Sequence, residues 1–185
     1  MHTTQKKEVV FNLTSVIEAV IDVMKTFIEV PSGTNGQQEQ QPKLPLHLGE
    51  ALTCWTFLTM LEEEIAIIRI GVNTTGDSEL LEALHAAMGL AQAQAVEMRE
   101  FMLREGVPLP HATEIKPKSE PDAIPLGVKL TDSEIANALA MKAAADYMTC
   151  ASGAVQSIRT DVGMMFVKFQ AEKLKFGASL KNVNA

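Results

Sequence analysis

A chain of 185 residues with 46% hydrophobic content has enough apolar material for one domain with a substantial core. Its formal charge of −7 and pI near 5.1 argue against a general nucleic-acid or anionic-membrane binder, because phosphate binding needs a basic surface that releases counterions. No stretch is long and apolar enough for a membrane span, and the opening MHTTQKKEVVFN lacks the apolar core of a signal peptide, so synthesis in a cytoplasm is expected.

From Glu8 to Ile28 the residues Val9, Leu13, Val16, Ile17, Val20, Met24 and Phe27 recur at spacings of three and four, which predicts an amphipathic helix over residues 1–30. Residues 31–45 (PSGTNGQQEQQPKLP) have no periodicity and read as a solvated linker. A second helix is expected from about His47 to Ile70. It is apolar nearly all round, with Leu48, Leu52, Trp55, Leu58, Ile65 and Ile68 near one stripe, and Gly71 is read as its stop. Asp77 or Ser78 then caps a helix over Glu79 to Glu105, whose Leu81, Leu84, Met88, Ala91, Ala95, Met98 and Met102 form the seam of an antiparallel bundle.

The connection VPLPHATEIKPKSEPDAIPLG holds five prolines. At roughly 3 Å per residue such a stretch can run the length of a bundle. Thr131 with Glu134 makes a capping box for an Ala-rich helix reaching about Ile158. A turn is expected at Arg159 and Thr160. Asp161 then starts the last helix, with Val162, Met165, Phe166, Phe169, Phe176 and Leu180 on its buried side. Two helical hairpins joined by a long Pro-rich crossover, over residues 46–185, is the connectivity of an all-α, ferritin-like four-helix bundle, to which the N-terminal helix is an addition.

The segments HLGEALTCW, AIPLGVKLTDSEIAN and QSIRTDVGMMFVKFQAEKLKFGASLK resemble an uncharacterised family from spore-forming bacteria, sometimes labelled spore coat protein. The resemblance runs from about Leu46 to Lys181. It implies a ferritin-like fold and a link to sporulation, and it carries no catalytic residue. Family members often hold two copies of this unit, so the single copy here implies pairing with itself as a homodimer.

A di-iron bundle needs inward carboxylates on two helices and a Glu-x-x-His on each of the other two. This chain offers Glu82-Ala-Leu-His85 on one helix, antiparallel pairing puts Glu62 or Glu63 opposite His85, and at least one of Glu62, Glu63 and Glu64 should face inward or sideways, because three consecutive residues sweep about 200°. Asp146 and Glu172 fall at a similar level on the last two helices. The second histidine is missing, since Thr149 and Lys175 stand where it would be. Glu62, Glu82 and His85, with Asp146 and Glu172 as possible additions, are therefore the candidate metal ligands, for iron, manganese or zinc. The bland alternative is a salt-bridged face in which Lys173 and Lys175 neutralise nearby acids, and it leaves the protein with no cofactor.

His47 and His111 read as capping or surface residues, and Cys54 and Cys150 as buried thiols with a disulfide as the alternative. The favoured reading is a non-enzymatic, spore-associated bundle that acts through self-association or contacts with other spore proteins. A reduced ferritin-type metal protein or oxidoreductase is the second. A small-molecule-binding bundle, with an apolar pocket lined by Trp55 and the methionines, is the third.

Overall fold

The structure is a computed structural model that describes residues 44–183, with side chains to 177. The expected helix at 8–28, residues 31–43 of the linker and the side chain of Leu180 lie outside the described residues. The remainder is an all-α four-helix bundle: α1 (Leu48–Thr74), α2 (Ser78–Arg104), α3 (Asp132–Gln156) and α4 (Thr160–Val183).

Local chemistry sets most of the helix ends. His47 is the N-cap of α1, and its Nδ1 accepts from Gly49 N while the Glu50 carboxylate accepts from His47 N at 2.9 Å. Asp77 caps α2 by accepting from Leu80 N at 2.8 Å. Thr131 and Glu134 form the expected capping box of α3. At the end of α2, Gly106 takes a φ of 71°, and Val107 N donates to Met102 O, closing the helix as a Schellman-type turn.

The second helix runs on past the expected stop. Gly71 lies inside α1, which continues to Thr74, and the reason is packing: a Cβ at Gly71 would meet Ile135 Cγ2 at 2.8 Å and Leu84 Cδ1 at 3.1 Å. The glycine lets α1 approach its neighbours closely. Gly153 does the same on α3, where a Cβ would stand 2.8 Å from the Phe166 ring.

In the bundle α1 packs against both α2 and α3, while α4 packs against α3 and more lightly against α2. Helices α1 and α4 therefore face each other across the core. They meet through aromatic rings, with Phe57 stacked on Phe169 and edge-on to Phe166, each at 5.6 Å between centroids. Residues 105–131 join α2 to α3 and bond to α1 on the way, through Thr113 Oγ1 to Glu62 O and Asn73 Nδ2 to Pro117 O.

The first turns of α1 depart from the expected burial. Leu48, Leu52 and Trp55 are exposed, and Cys54, Phe57, Leu58, Leu61, Ile65 and Ile68 form the buried side. An all-round apolar helix gives no phase from its own pattern, so its neighbours decide which side is covered.

The buried apolar residues fall into two clusters. One gathers Phe57, Leu61, Met98, Phe101, Cys150, Phe166 and Phe169, and the other gathers Ile68, Leu84, Ala87, Ile135 and Leu139. Between them along the helices stand Glu64, Gln94, Asp146 and Lys173, all buried.

Candidate functional site

Of the candidate metal ligands named from the sequence, Asp146 belongs to that polar layer, whose other members are Glu64, Gln94 and Lys173. Of the three consecutive acids on α1, Glu64 is the one that turns inward, at 4% exposure. Lys173 Nζ donates to Asp146 Oδ2 at 2.8 Å and to Glu64 Oε2 at 3.3 Å. Three helices thus contribute one cation and two acids to a site with almost no access to water. On the fourth, Gln94 Nε2 donates to Phe169 O and to Glu172 Oε2.

The electrostatics follow from burial. Two carboxylates cannot both be comfortable beside one ammonium in a poorly hydrated core, so one of them holds its proton more tightly. Desolvation, then a hydrogen bond with Asp146, pushes Glu64 up to about 7. Burial alone would lower Lys173, yet the charges of Glu64 and Asp146 overcome it and hold the ammonium above its usual range. Among the described residues, Asp146 Oδ1 and Gln94 Oε1 are buried without a hydrogen-bond donor.

The sequence candidates are not gathered in one place. Glu62 pairs with Arg99 of α2. Glu82 is exposed on α2, and His85, one turn further along, is also exposed. Asp146 belongs to the buried layer, while Glu172 is half-buried and accepts from Gln94. The described residues contain no group of three or more His, Cys, Asp or Glu suited to hold a metal ion. Lys173 was legible only as one of two lysines near acids.

A cleft of about 660 Å³ opens beside this layer, between the first half of α2, the first half of α3 and the end of α4. Its size is that of a ligand pocket. Glu64 and Lys173 contribute to its wall together with Leu90, Leu139, Phe176 and several alanines, and acids including Glu82 and Asp132 stand along it. Neither Trp55 nor a methionine lines it, contrary to the pocket expected from the sequence.

At the other end of the bundle a second buried cation ties the elements together. Arg159, in the short turn between α3 and α4, donates from Nη1 and Nη2 to both carboxylate oxygens of Glu105, at 2.6 and 2.9 Å. Nε and Nη2 reach Asp161, and Nη1 also donates to Leu44 O. Its guanidinium lies 5.8 Å from the centre of the Phe101 ring. Glu50 Oε1 accepts from the backbone N–H of Ile158 and of Arg159, both at 2.8 Å. Burial would raise the Glu50 carboxyl, but the N–H groups of Arg159, His47 and Ile158 hold it below its usual value.

Cys54 and Cys150 are free thiols in the larger apolar cluster, each pushed up to about 12 by burial. Neither is activated. Among the described residues no helix is long and apolar enough to cross a membrane.

These features define a four-helix bundle whose core carries an internal ion-pair layer. The chain belongs to the family described as Protein of unknown function (DUF3231), whose profile matches residues 34–185. It is 29% identical over 134 residues to the uncharacterised protein YvdQ of Bacillus subtilis strain 168, a match covering 72% of this chain and 79% of that one. It is also similar to the crystal structure of a candidate spore coat protein of Bacillus halodurans C-125, with 34% identity and a TM-score of 0.73 over 76% of this chain and 89% of that one.

Proposed function

We propose that this chain is a non-enzymatic, spore-associated helical protein that works through its surfaces, pairing with itself as a homodimer and contacting other spore proteins. The likeness to the candidate spore coat protein of Bacillus halodurans supports the spore association. The bundle, on this reading, is ferritin-like, with residues 105–131 as its Pro-rich crossover.

Lys173 is the observation that carries the non-enzymatic reading. Ferritin-like metal proteins place ions between inward carboxylates of facing helices. Here an ammonium of the chain itself stands between Asp146 and Glu64, at 2.8 and 3.3 Å. A fixed cation at hydrogen-bond distance repels a divalent ion and occupies one oxygen of each carboxylate that would bind it. The layer therefore does not fit a resident metal, and its chemistry is that of a structural ion pair.

The rival reading is iron, manganese or zinc held by Glu62, Glu82 and His85. Elemental analysis of the full chain purified without a metal-affinity tag, beside His85→Ala, separates the two. The scaffold reading expects substoichiometric metal in both proteins. Stoichiometric metal that disappears in His85→Ala overturns it. For the spore association, immunodetection in purified spores of the source organism should find the protein in the coat extract, and its absence from spores would sink that half of the reading. The third reading, a small-molecule site, calls for an apolar pocket lined by Trp55 and the methionines, and the cleft beside Glu64 and Lys173 has neither in its wall.

A further inference from the structure

The outer side of α3 is unusual for a surface helix. Met141, Met148 and Val155 are 72%, 70% and 86% exposed, and Ile158 just beyond the helix is 68% exposed. With Asn137, Ala144 and Ala151 the helical residues form the series 137, 141, 144, 148, 151, 155, whose steps of four and three mark a single coiled-coil seam. The buried side of the same helix is a different set, Ile135, Leu139, Asp146, Cys150 and Gly153, so the seam faces away from the chain's own core.

Charge is missing from that seam. Between Glu134 and Arg159 the sequence has only Lys142 and Asp146 as charged residues. Both are turned inward: Lys142 Nζ donates to Met60 O, and Asp146 is 0% exposed. Depletion of charge around exposed large apolar groups is the signature of an interface centre.

We infer that the seam Asn137, Met141, Ala144, Met148, Ala151 and Val155 is a two-fold interface in which α3 packs antiparallel on α3 of a second copy. This rests on the self-association reading above and names its surface. The case for a second copy is that the seam complements itself. An antiparallel pair centred beside residue 146 sets Met141 against Ala151 of the other copy and Ala144 against Met148, so each long side chain meets a small one. Asn137 then faces Val155, a polar position that disfavours shifted registers. Two chains of formal charge −7 repel each other over most of their surfaces, and this face lets them meet without opposing acids. With Ile158 and the half-exposed Tyr147 at its margin, the patch offers on the order of 700 Å² per protomer, close to the roughly 800 Å² per partner of a standard interface.

Sedimentation equilibrium of the full chain and a cross-linking mixture test this. The wild type should be a dimer. Met148→Glu should weaken dimerisation at least about 100-fold with helical content unchanged, because the two-fold buries the added carboxylate twice. Leu103→Glu, on the exposed side of α2, should remain a dimer. Under oxidation, Met141→Cys mixed with Ala151→Cys should give a covalent heterodimer, while neither protein cross-links alone. A monomeric wild type overturns both the interface and the self-association reading. A dimer that survives Met148→Glu, or a mixture that does not cross-link, overturns the α3 pairing and leaves self-association standing on another face.

Discussion

Among the described residues the bundle buries two cations, each between two acids, and the two sites are built to different standards. Arg159 has a planar fork of donors, and Glu105, Asp161 and Leu44 O meet it in directions the fork can use. Its acids are partly wetted, with Asp161 49% exposed at the side chain. Lys173 is a point charge in a drier place. It meets two carboxylates, leaves Asp146 Oδ1 without a donor, and shares them with a proton held on Glu64. The first site fixes how the ends of three elements meet. The second is an under-neutralised layer held in place by the helices around it, and such layers contribute less to stability than their short distances suggest.

The largest loss of stability is expected at Lys173. Lys173→Ala leaves two buried acids with no cation, and equilibrium denaturation at pH 7 should show a loss of about 4 kcal/mol, partly recovered on mild acidification as Glu64 protonates. Glu50→Ala should cost about 3 kcal/mol in the same measurement, since the N–H groups of Ile158 and Arg159 lose their acceptor at a buried turn. Arg159→Lys keeps the charge and loses the bidentate geometry, for an expected loss of about 2 kcal/mol. If Arg159→Lys proves as costly as Lys173→Ala, the two sites are not built differently after all.

The pH dependence of stability sharpens the contrast. Glu64 is raised from 4.5 to about 7 in the folded chain. Its proton therefore stabilises the fold fully below pH 4.5, and that contribution is lost as pH rises through about 7. Glu50 is lowered, so its contribution has the opposite sign and is lost as pH falls. Glu64→Gln should remove the decline between pH 4.5 and 7 while changing stability at acidic pH by less than about 1 kcal/mol. A stability profile unchanged by Glu64→Gln would show that the layer does not titrate as described.

Much of the fold could be read from the sequence because its signals are local. Asp77, Thr131 with Glu134, and Gly106 act within a few residues, and each sits at a helix end. Gly71 has the same local signature as a helix stop, and only the approach of Ile135 and Leu84 shows that it serves packing. The acids at 62–64 posed a similar problem. Their sweep around α1 put at least one of them inward or sideways, but the helix phase that selected Glu64 is set by contacts distant in sequence. Arg159 was legible as a turn residue and not as a hub, since Glu105 and Leu44 lie more than fifty residues away. The segments HLGEALTCW and QSIRTDVG, which carry the family resemblance, meet at this hub through Glu50 and Arg159.

The charged layer also bears on how the molecule comes apart. A continuous apolar core makes a bundle open as one unit, whereas Glu64, Asp146 and Lys173 interrupt this one and leave Ile68, Leu84, Ile135 and Leu139 as a small cluster on their own side. Amide hydrogen exchange should therefore be biphasic along each helix. Protons near Thr74, Leu84 and Ile135 should exchange through a low-energy local opening, while those near Phe57, Met98 and Phe166 wait for global unfolding. A scaffold built this way can loosen the end that carries the cleft while the end tied by Arg159 keeps its shape.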